Sequence, residues 1–133
     1  ALVGELLATQ AIARGAAALL VDASVRDVEE LAAMGLPIWA RWVRIRGATK
    51  TTPGAIGEPV AIGGCTICSG DAVVLDADGV AVVPAARVDE VLEASRQRAE
   101  KERVKRAKLE GGALSYDLDG LRALVEEAGG GAA

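Results

Sequence analysis

The chain opens with two contrasting hydrophobic patterns, first helical and then strand-like. Apolar side chains at Val3, Leu6 and Leu7 recur at helical spacing, and Gly15 is expected to end that helix. Residues 17–21 then form an unbroken apolar run that stops at an aspartate, the pattern of a strand buried on both faces. The alternation predicts an α/β protein whose strands pair in parallel.

The second helical pattern follows Ser24 and ends at Gly35 and Pro37, and beyond this point the helical periodicity is lost. Short apolar runs separated by Gly, Pro and Asp predict strands and tight turns. These runs are 38–43, 59–62, 72–75 and 80–83. Asp76-Ala77-Asp78-Gly79, between two Val-rich runs, predicts a hairpin because Asp-Gly tolerates positive φ.

The last third of the chain is predicted to be helical. A heavily charged helix is expected from Val88 to Leu109, with an apolar stripe that fades after Ala99. A shorter helix is expected over 118–127, and the Gly-Ala residues 129–133 are expected to be a disordered tail. With 133 residues in total, residues 1–128 are interpreted as a single domain.

Charge and hydropathy narrow the classes of partner. The formal net charge of −4 and the pI near 4.9 argue against nucleic-acid binding, which depends largely on Lys and Arg neutralising phosphates. No apolar run is long enough to span a membrane, and no basic-then-apolar leader opens the chain. We therefore expect a cytoplasmic protein with no membrane contact. The sequence also begins within a helical pattern, which suggests the larger, C-terminal part of a longer chain.

Residue types that are missing exclude several chemistries. The chain has no His, so Ser-His-Asp hydrolysis, Cys-His catalysis and histidine-bound zinc each lack a required group. Cys65 and Cys68 form one CxxC in a strand-like context without further Cys, and we interpret them as packing or surface thiols. The remaining oxygen ligands suit Mg²⁺ or Mn²⁺.

Residues 22–27, with the sequence Asp-Ala-Ser-Val-Arg-Asp, form the densest group of candidate catalytic and ligand-binding residues. They lie between a predicted strand and a predicted helix. Ligands of open α/β sheets bind at such strand ends. Asp27 could hold a cation while Arg26 grips a carboxylate, as chelation of a 2-oxo acid requires. Ser24 and Asp27 also have the spacing of a capping box, in which Asp27 would only satisfy the end of its own helix. Both interpretations stay open on sequence alone.

An ordered series of short motifs resembles one family. Twenty residues lie between Glu5 and the Arg26-Asp27 pair, and further similar motifs extend from Gly35-Leu36-Pro37 to the long helix. Together they resemble the RraA-like aldolases that cleave 4-hydroxy-4-methyl-2-oxoglutarate or 4-carboxy-4-hydroxy-2-oxoadipate to pyruvate, with oxaloacetate decarboxylation as a side activity. The resemblance implies a three-layer β/β/α swivelling-domain-like fold, a homotrimer or a dimer of trimers, and a role in aromatic compound breakdown.

The resemblance also implies a role for each matching residue. Asp27 would bind Mg²⁺ or Mn²⁺, Glu5 would hold metal-bound water, and Arg26 would bind the substrate and its developing oxyanion. The amides of Gly4, Leu6 and Leu7 would hold the pyruvate carboxylate. Glu102 would act as an acid supplied to the neighbouring subunit, although a solvated helix face is the simpler interpretation of that residue.

The sequence differs from the family pattern in two respects, and two other functions are alternative interpretations. The family usually has Asp where this chain has Glu5, and its members carry a further stretch before Gly4. One rival is a non-enzymatic RraA-like regulator that binds and inhibits an RNA-degrading endonuclease. Another is a Schiff-base aldolase that uses Lys50, which lacks an obvious apolar pocket to activate it.

Overall fold

The computed structural model describes residues 1–129, and its helices and strands follow the α/β order predicted from the sequence. The described residues divide into two compact units, the first covering 1–82 and the second beginning at Val83. The expected tail 129–133 lies outside the described residues except for Gly129, which ends the last helix.

The first unit begins with an α-β-α-β arrangement. Its elements are α1 (Glu5–Ala13), β1 (Leu19–Val25), α2 (Val28–Ala33) and β2 (Ile38–Val43). β1 and β2 pair in parallel, with Leu19 opposite Ile38 and Val25 opposite Val43. The helix α2 supplies the crossover that parallel neighbours need, so the predicted parallel pairing is confirmed.

A bulge corrects the predicted end of β1. The strand continues through Asp22, where the sequence placed its end, and stops at Val25. Val21 lies opposite Ala40 while Ser24 lies opposite Trp42, so between these two pairs β1 contains one more residue than β2. A bulge of this kind bends the strand and leaves one residue unpaired. The Asp22 carboxylate forms an ion pair with the guanidinium of Arg41 on β2.

The residues before α1 lie beside the end of β1. Val3 forms a parallel bridge with Val25, the amide of Leu2 donates to the Ser24 carbonyl oxygen at 2.7 Å, and the amide of Arg26 donates to the Val3 carbonyl oxygen at 3.0 Å. These bonds bring the start of α1 next to the turn that follows β1.

A small apolar core holds these elements together. Its buried members are Val3, Ala8, Val21, Val25, Leu31 and Leu36. Full burial of one Val or Leu side chain stabilises a fold by about 1.5–3 kcal/mol. Leu19 and Leu20, on opposite faces of β1, are only partly buried, so the expectation of a strand buried on both faces holds in part.

The remaining strands form two short pairs. β3 (Val60–Ile62) and β4 (Cys65–Ile67) are antiparallel, and β5 (Ala72–Leu75) pairs with β6 (Val80–Val83). In the turn between β5 and β6, Asp76 Oδ1 accepts hydrogen bonds from the amides of residues 78 and 79. The predicted hairpin is therefore confirmed.

The second unit is helical. It contains α3 (Val88–Glu110), α4 (Ser115–Leu118) and α5 (Leu121–Gly129). The predicted long helix is confirmed. The predicted helix 118–127 corresponds to α5, which begins later, at Leu121, because Gly120 with its φ of +70° lies in the turn that separates α5 from α4. Within residues 1–129, no helix combines the length and the apolar character needed to cross a membrane.

Candidate functional site

Arg26 and Asp27 occupy the short link between β1 and α2. Asp27 has φ 58° and ψ 47°, and it is the one non-glycine residue within 1–129 with a positive φ. This left-handed conformation is uncommon for a residue with a side chain, although Asp and Asn adopt it more readily than most. The strained link turns the Asp27 side chain away from its own helix.

The Asp27 carboxylate binds the start of α1 instead of capping α2. Its Oδ2 accepts a hydrogen bond from the Glu5 amide at 3.1 Å, and no side-chain cap is present on α2. Ser24 lies inside β1, so the capping box expected between Ser24 and Asp27 is not formed. Asp27 does satisfy a helix end, but that helix begins twenty-two residues earlier in the chain.

Gly4 permits the close approach of the two segments. A β-carbon built on Gly4 would lie 2.5 Å from Asp27 Oδ2 and 3.1 Å from both Arg26 Cγ and Arg26 Nε. Gly4 has an extended backbone with φ −142°, so its conformation does not demand glycine. The absence of a side chain does, because any added atom would displace the carboxylate.

Arg26 lies beside the same carboxylate. Its Nε is 3.5 Å from Asp27 Oδ2, and the two side chains are 45% and 39% exposed. A β-carbon on Gly47 would stand 3.4 Å from one terminal nitrogen of Arg26. Within residues 1–129 the terminal nitrogens of this guanidinium make no hydrogen bond, so its planar fork remains able to bind an anion.

A cavity of about 430 Å³ opens next to this cluster, and we call it the α1 pocket. Its wall is partly apolar and carries two cationic side chains. Among the residues that form the wall are Leu2, Leu6, Leu7, Gln10, Arg26 and Lys50. Arg26 also borders a second, more open depression that includes Asp27, so this residue contributes to both cavities.

The first amides of α1 do not all remain free for an anion. The amide of Glu5 binds Asp27, and that of Leu7 donates to the Gly4 carbonyl oxygen at 3.2 Å. Leu6 is the second residue of the helix, so its amide has no helical carbonyl oxygen to bind. Leu6 also lines the pocket. Of the three amides predicted to hold a carboxylate, those of Gly4 and Leu6 have no backbone acceptor within residues 1–129, and both residues line the pocket.

The acids predicted to act beside Asp27 have local partners. Glu5 Oε1 accepts a hydrogen bond from the Thr9 hydroxyl at 3.4 Å, along the same helix. Glu102 accepts one from Arg98 Nε at 2.7 Å and its side chain is 57% exposed. Glu102 belongs to the second unit, where this helical ion pair is its observed contact.

The donor atoms of this cluster suit one divalent ion. Within residues 1–129, no group of three or more His, Cys, Asp or Glu side chains could enclose a metal. Asp27 nevertheless offers Oδ1, because its contacts with Glu5 and Arg26 both use Oδ2. Magnesium often takes one or two carboxylates and fills its other positions with water and substrate oxygens. The residues present fit such an ion, with Asp27 as ligand.

Sequence reasoning missed the contribution of the segment 44–50. The sequence points to Lys50 only as a Schiff-base candidate, yet this residue lines the α1 pocket together with Gly47, Ala48 and Thr49. The segment has no hydrophobic periodicity that would have placed it there. Cys65 and Cys68 are both free and exposed, in agreement with the expectation of surface thiols.

Comparison with known proteins points to one family. Residues 1–82 match the RraA-like family, described as Aldolase/RraA. A protein of Halalkalibacterium halodurans named "Putative 4-hydroxy-4-methyl-2-oxoglutarate aldolase" is 34% identical over 128 residues, which cover 96% of this chain and 58% of that protein.

Two solved structures share the fold. Streptomyces coelicolor RraAS2, described as an unusual member of the RNase ES inhibitor RraA protein family, is 30% identical with a TM-score of 0.72, over 80% of this chain and 55% of its own. An uncharacterized protein from Pseudomonas syringae is 27% identical with a TM-score of 0.77, over 84% and 56%. The chain thus spans little more than half the length of each of these three relatives. By sequence and by fold, the chain belongs to the RraA-like family.

Proposed function

We propose that this chain carries the catalytic residues of a divalent-metal-dependent aldolase that cleaves 4-hydroxy-2-oxo acids and releases pyruvate. Substrates of this class include 4-hydroxy-4-methyl-2-oxoglutarate and 4-carboxy-4-hydroxy-2-oxoadipate. The carrying observation is the cluster at the start of α1, where Gly4 admits the Asp27 carboxylate and Arg26 stands beside it. The likeness to the H. halodurans protein supports the same reaction class.

The chain's own residues would bind and orient the substrate. Asp27 would hold Mg²⁺ or Mn²⁺ through the oxygen that Glu5 does not use, and the bound ion would supply Lewis-acid polarisation of the 2-oxo group. The Leu6 amide would bind the 1-carboxylate at the positive end of α1. Arg26 would donate hydrogen bonds to the 2-oxo oxygen as negative charge develops there.

Retro-aldol cleavage then needs a base that takes the proton of the 4-hydroxyl and an acid that gives a proton to C3. Loss of the proton from the 4-hydroxyl forms a carbonyl at C4, the C3–C4 bond breaks, and its electron pair moves to C3 and the 2-oxo oxygen. Arg26 would stabilise the resulting enolate, and return of a proton to C3 gives pyruvate. With no His in the chain, an ordered water positioned by Glu5 would carry the proton. Glu102 from a neighbouring subunit of a trimer, or of a dimer of trimers, would help to orient that water.

A binding function is the second candidate. The likeness to RraAS2 favours an RraA-like regulator that inhibits an RNA-degrading endonuclease without catalysis. The two candidates differ in what Arg26 and Asp27 must do: the aldolase needs their charges, whereas a regulator needs at most their contribution to the fold.

Pyruvate release from a panel of 4-hydroxy-2-oxo acids, measured with and without Mg²⁺, tests the proposal. We expect release that EDTA abolishes and that Mg²⁺ or Mn²⁺ restores. Borohydride treatment in the presence of pyruvate should leave Lys50 unmodified, because the proposed mechanism forms no Schiff base. A trapped pyruvate adduct on Lys50 would assign the reaction to the rival mechanism.

The regulator requires a parallel measurement. The same protein is titrated against an RNase E-type endonuclease, and cleavage of an RNA substrate is followed. Inhibition of the nuclease together with no pyruvate from any member of the panel would favour the regulator and overturn the aldolase. The variant Asp27→Asn serves as the matched control, since it removes the charge and keeps a hydrogen-bond acceptor for Glu5.

A further inference from the structure

The α1 pocket contains more positive charge than one carboxylate requires. Arg26 and Lys50 are the charged side chains that line it, and no Asp or Glu of residues 1–129 does. The whole chain, by contrast, has 19 acidic and 15 basic residues. Because Arg26 is paired with Asp27, Lys50 is the cationic side chain of this wall that has no acidic partner within residues 1–129, and it favours a further negative charge on the ligand.

The position of Lys50 follows from two backbone anchors on its segment. The Arg44 amide donates to the Val25 carbonyl oxygen at 3.0 Å, and the Ala48 amide donates to the Ala1 carbonyl oxygen at 3.0 Å. These bonds hold the segment against the end of β1 and against the residues that precede α1. Lys50 follows two residues after the second anchor and reaches the pocket wall.

The size of the pocket agrees with a ligand larger than pyruvate. Its volume of about 430 Å³ lies within the range of roughly 300–1,000 Å³ that small-molecule sites occupy. Leu2, Leu6 and Leu7 form an apolar part of the wall, suited to the carbon chain of such a ligand. Lys50 itself is exposed, so its ammonium keeps much of its water and suits an electrostatic contact.

We propose that Lys50 is the specificity-determining residue that binds the second carboxylate of the 2-oxo acids proposed above as substrates. The proposal rests on the proposed function, because it takes the first carboxylate and the 2-oxo group to be bound at Leu6, Arg26 and Asp27. Lys50 is then a binding residue for the far end of the substrate and takes no part in bond cleavage.

Binding of two acids that differ at one end tests this assignment. In 2-oxoglutarate a carboxylate stands where 2-oxopentanoate has a methyl group, and neither acid has the hydroxyl needed for cleavage. Isothermal titration calorimetry with Mg²⁺ present should give tighter binding of 2-oxoglutarate by the wild-type protein. Lys50→Gln should weaken that binding roughly tenfold, as expected for loss of one charge-assisted contact, and should leave 2-oxopentanoate within about twofold. Lys50→Arg should restore most of the preference.

Arg46→Gln is the matched control. Arg46 is an exposed cation on the same segment and does not line the pocket, so its loss changes net charge without removing the proposed contact. We expect wild-type selectivity from it. Equal effects of Lys50→Gln on both acids, or the same loss in Arg46→Gln, would overturn the role of Lys50 while the 2-oxo acid site stands. Failure of the wild-type protein to bind either acid would overturn the 2-oxo acid site and this inference together.

Discussion

Gly4 lies so close to Asp27 that the β-carbon of an alanine at position 4 would stand 2.5 Å from Asp27 Oδ2. Gly4→Ala should therefore displace the carboxylate, remove most aldolase turnover, and lower the free energy of unfolding by about 1–3 kcal/mol as overpacking does. Pyruvate release and chemical denaturation measure the two effects. Gly54→Ala is the control, because a β-carbon there meets no atom within 4 Å. Full activity of Gly4→Ala would show that the position of the carboxylate is not needed.

Asp27→Asn separates the two interpretations of Asp27. The amide oxygen of asparagine can still accept the Glu5 hydrogen bond, and Asn tolerates the left-handed backbone, so the fold should be retained. The charge that would bind the metal is lost, and we expect turnover to fall to background. Thermal unfolding and pyruvate release are measured side by side with those of Glu29→Gln, a neutralised acid in the first turn of α2. Normal turnover in Asp27→Asn would mean that Asp27 only satisfies the start of α1.

Arg26→Lys should be nearly as damaging as Arg26→Ala. The guanidinium offers a planar fork whose terminal nitrogens remain unbonded within residues 1–129, and an ammonium does not reproduce that geometry. Because Arg26 would meet charge that develops during cleavage, kcat should fall as well as kcat/KM. Steady-state kinetics with Arg44→Lys as the control measure this. A rise in KM with unchanged kcat would restrict Arg26 to substrate binding.

The acid stability of the second unit should depend on Asp119. Hydrogen bonds from Lys105 and, to a lesser degree, from Ser115 lower the pKa of this carboxyl below its ordinary value of about 3.9. A lowered folded-state pKa means that the stabilisation is fully present above the unfolded-state pKa and is lost as the pH falls through the folded-state pKa. Asp119→Asn should thus destabilise the helices near neutral pH and match the wild type in stronger acid. Helical circular dichroism during unfolding, at several pH values, checks this, and a destabilisation that does not change with pH would contradict it.

Local patterns predicted most of the elements correctly. The helix from Val88 and the strands 38–43, 72–75 and 80–83 follow from periodicity and turn residues within each segment. Such signals need no knowledge of distant residues. The α1 helix was predicted too, but its core contact was not: Ala8 is fully buried, whereas Leu6 is 79% exposed. A small side chain permits close packing, and hydrophobicity alone does not say which apolar face a helix buries.

The candidate site was predictable only in part. The Arg26-Asp27 pair stands out in the sequence, but the partner of the Asp27 carboxylate is an amide twenty-two residues away, and a local spacing rule assigned it to the wrong helix. The segment that presents Lys50 is irregular, and long-range backbone hydrogen bonds to residues 1 and 25 set its position. The roles inferred from the family resemblance remain predictions that substitutions at those residues would decide.

Glu102 is predicted to act in trans, although its observed contact is a salt bridge with Arg98 one helical turn away. An exposed pair of this kind stabilises a helix by only about 0.3–0.5 kcal/mol. If that were its whole role, Glu102→Gln would behave like Glu100→Gln, which removes the neighbouring pair with Arg103 and is the matched control. In a closed ring the same carboxylate could meet the site of the next subunit and orient its water. We therefore expect Glu102→Gln to lose turnover while Glu100→Gln keeps it.

Subunit mixing then distinguishes action in trans from action within one chain. Glu102→Gln and Asp27→Asn proteins, each inactive alone, are dissociated, mixed and reassembled, and mixed oligomers are verified by native mass spectrometry. Some interfaces would pair an intact Glu102 with an intact Asp27, so partial activity should return. Verified mixed oligomers that stay inactive would place both residues in the site of a single subunit. Full activity of Glu102→Gln alone would return Glu102 to the solvated face of α3, where its bond to Arg98 accounts for it.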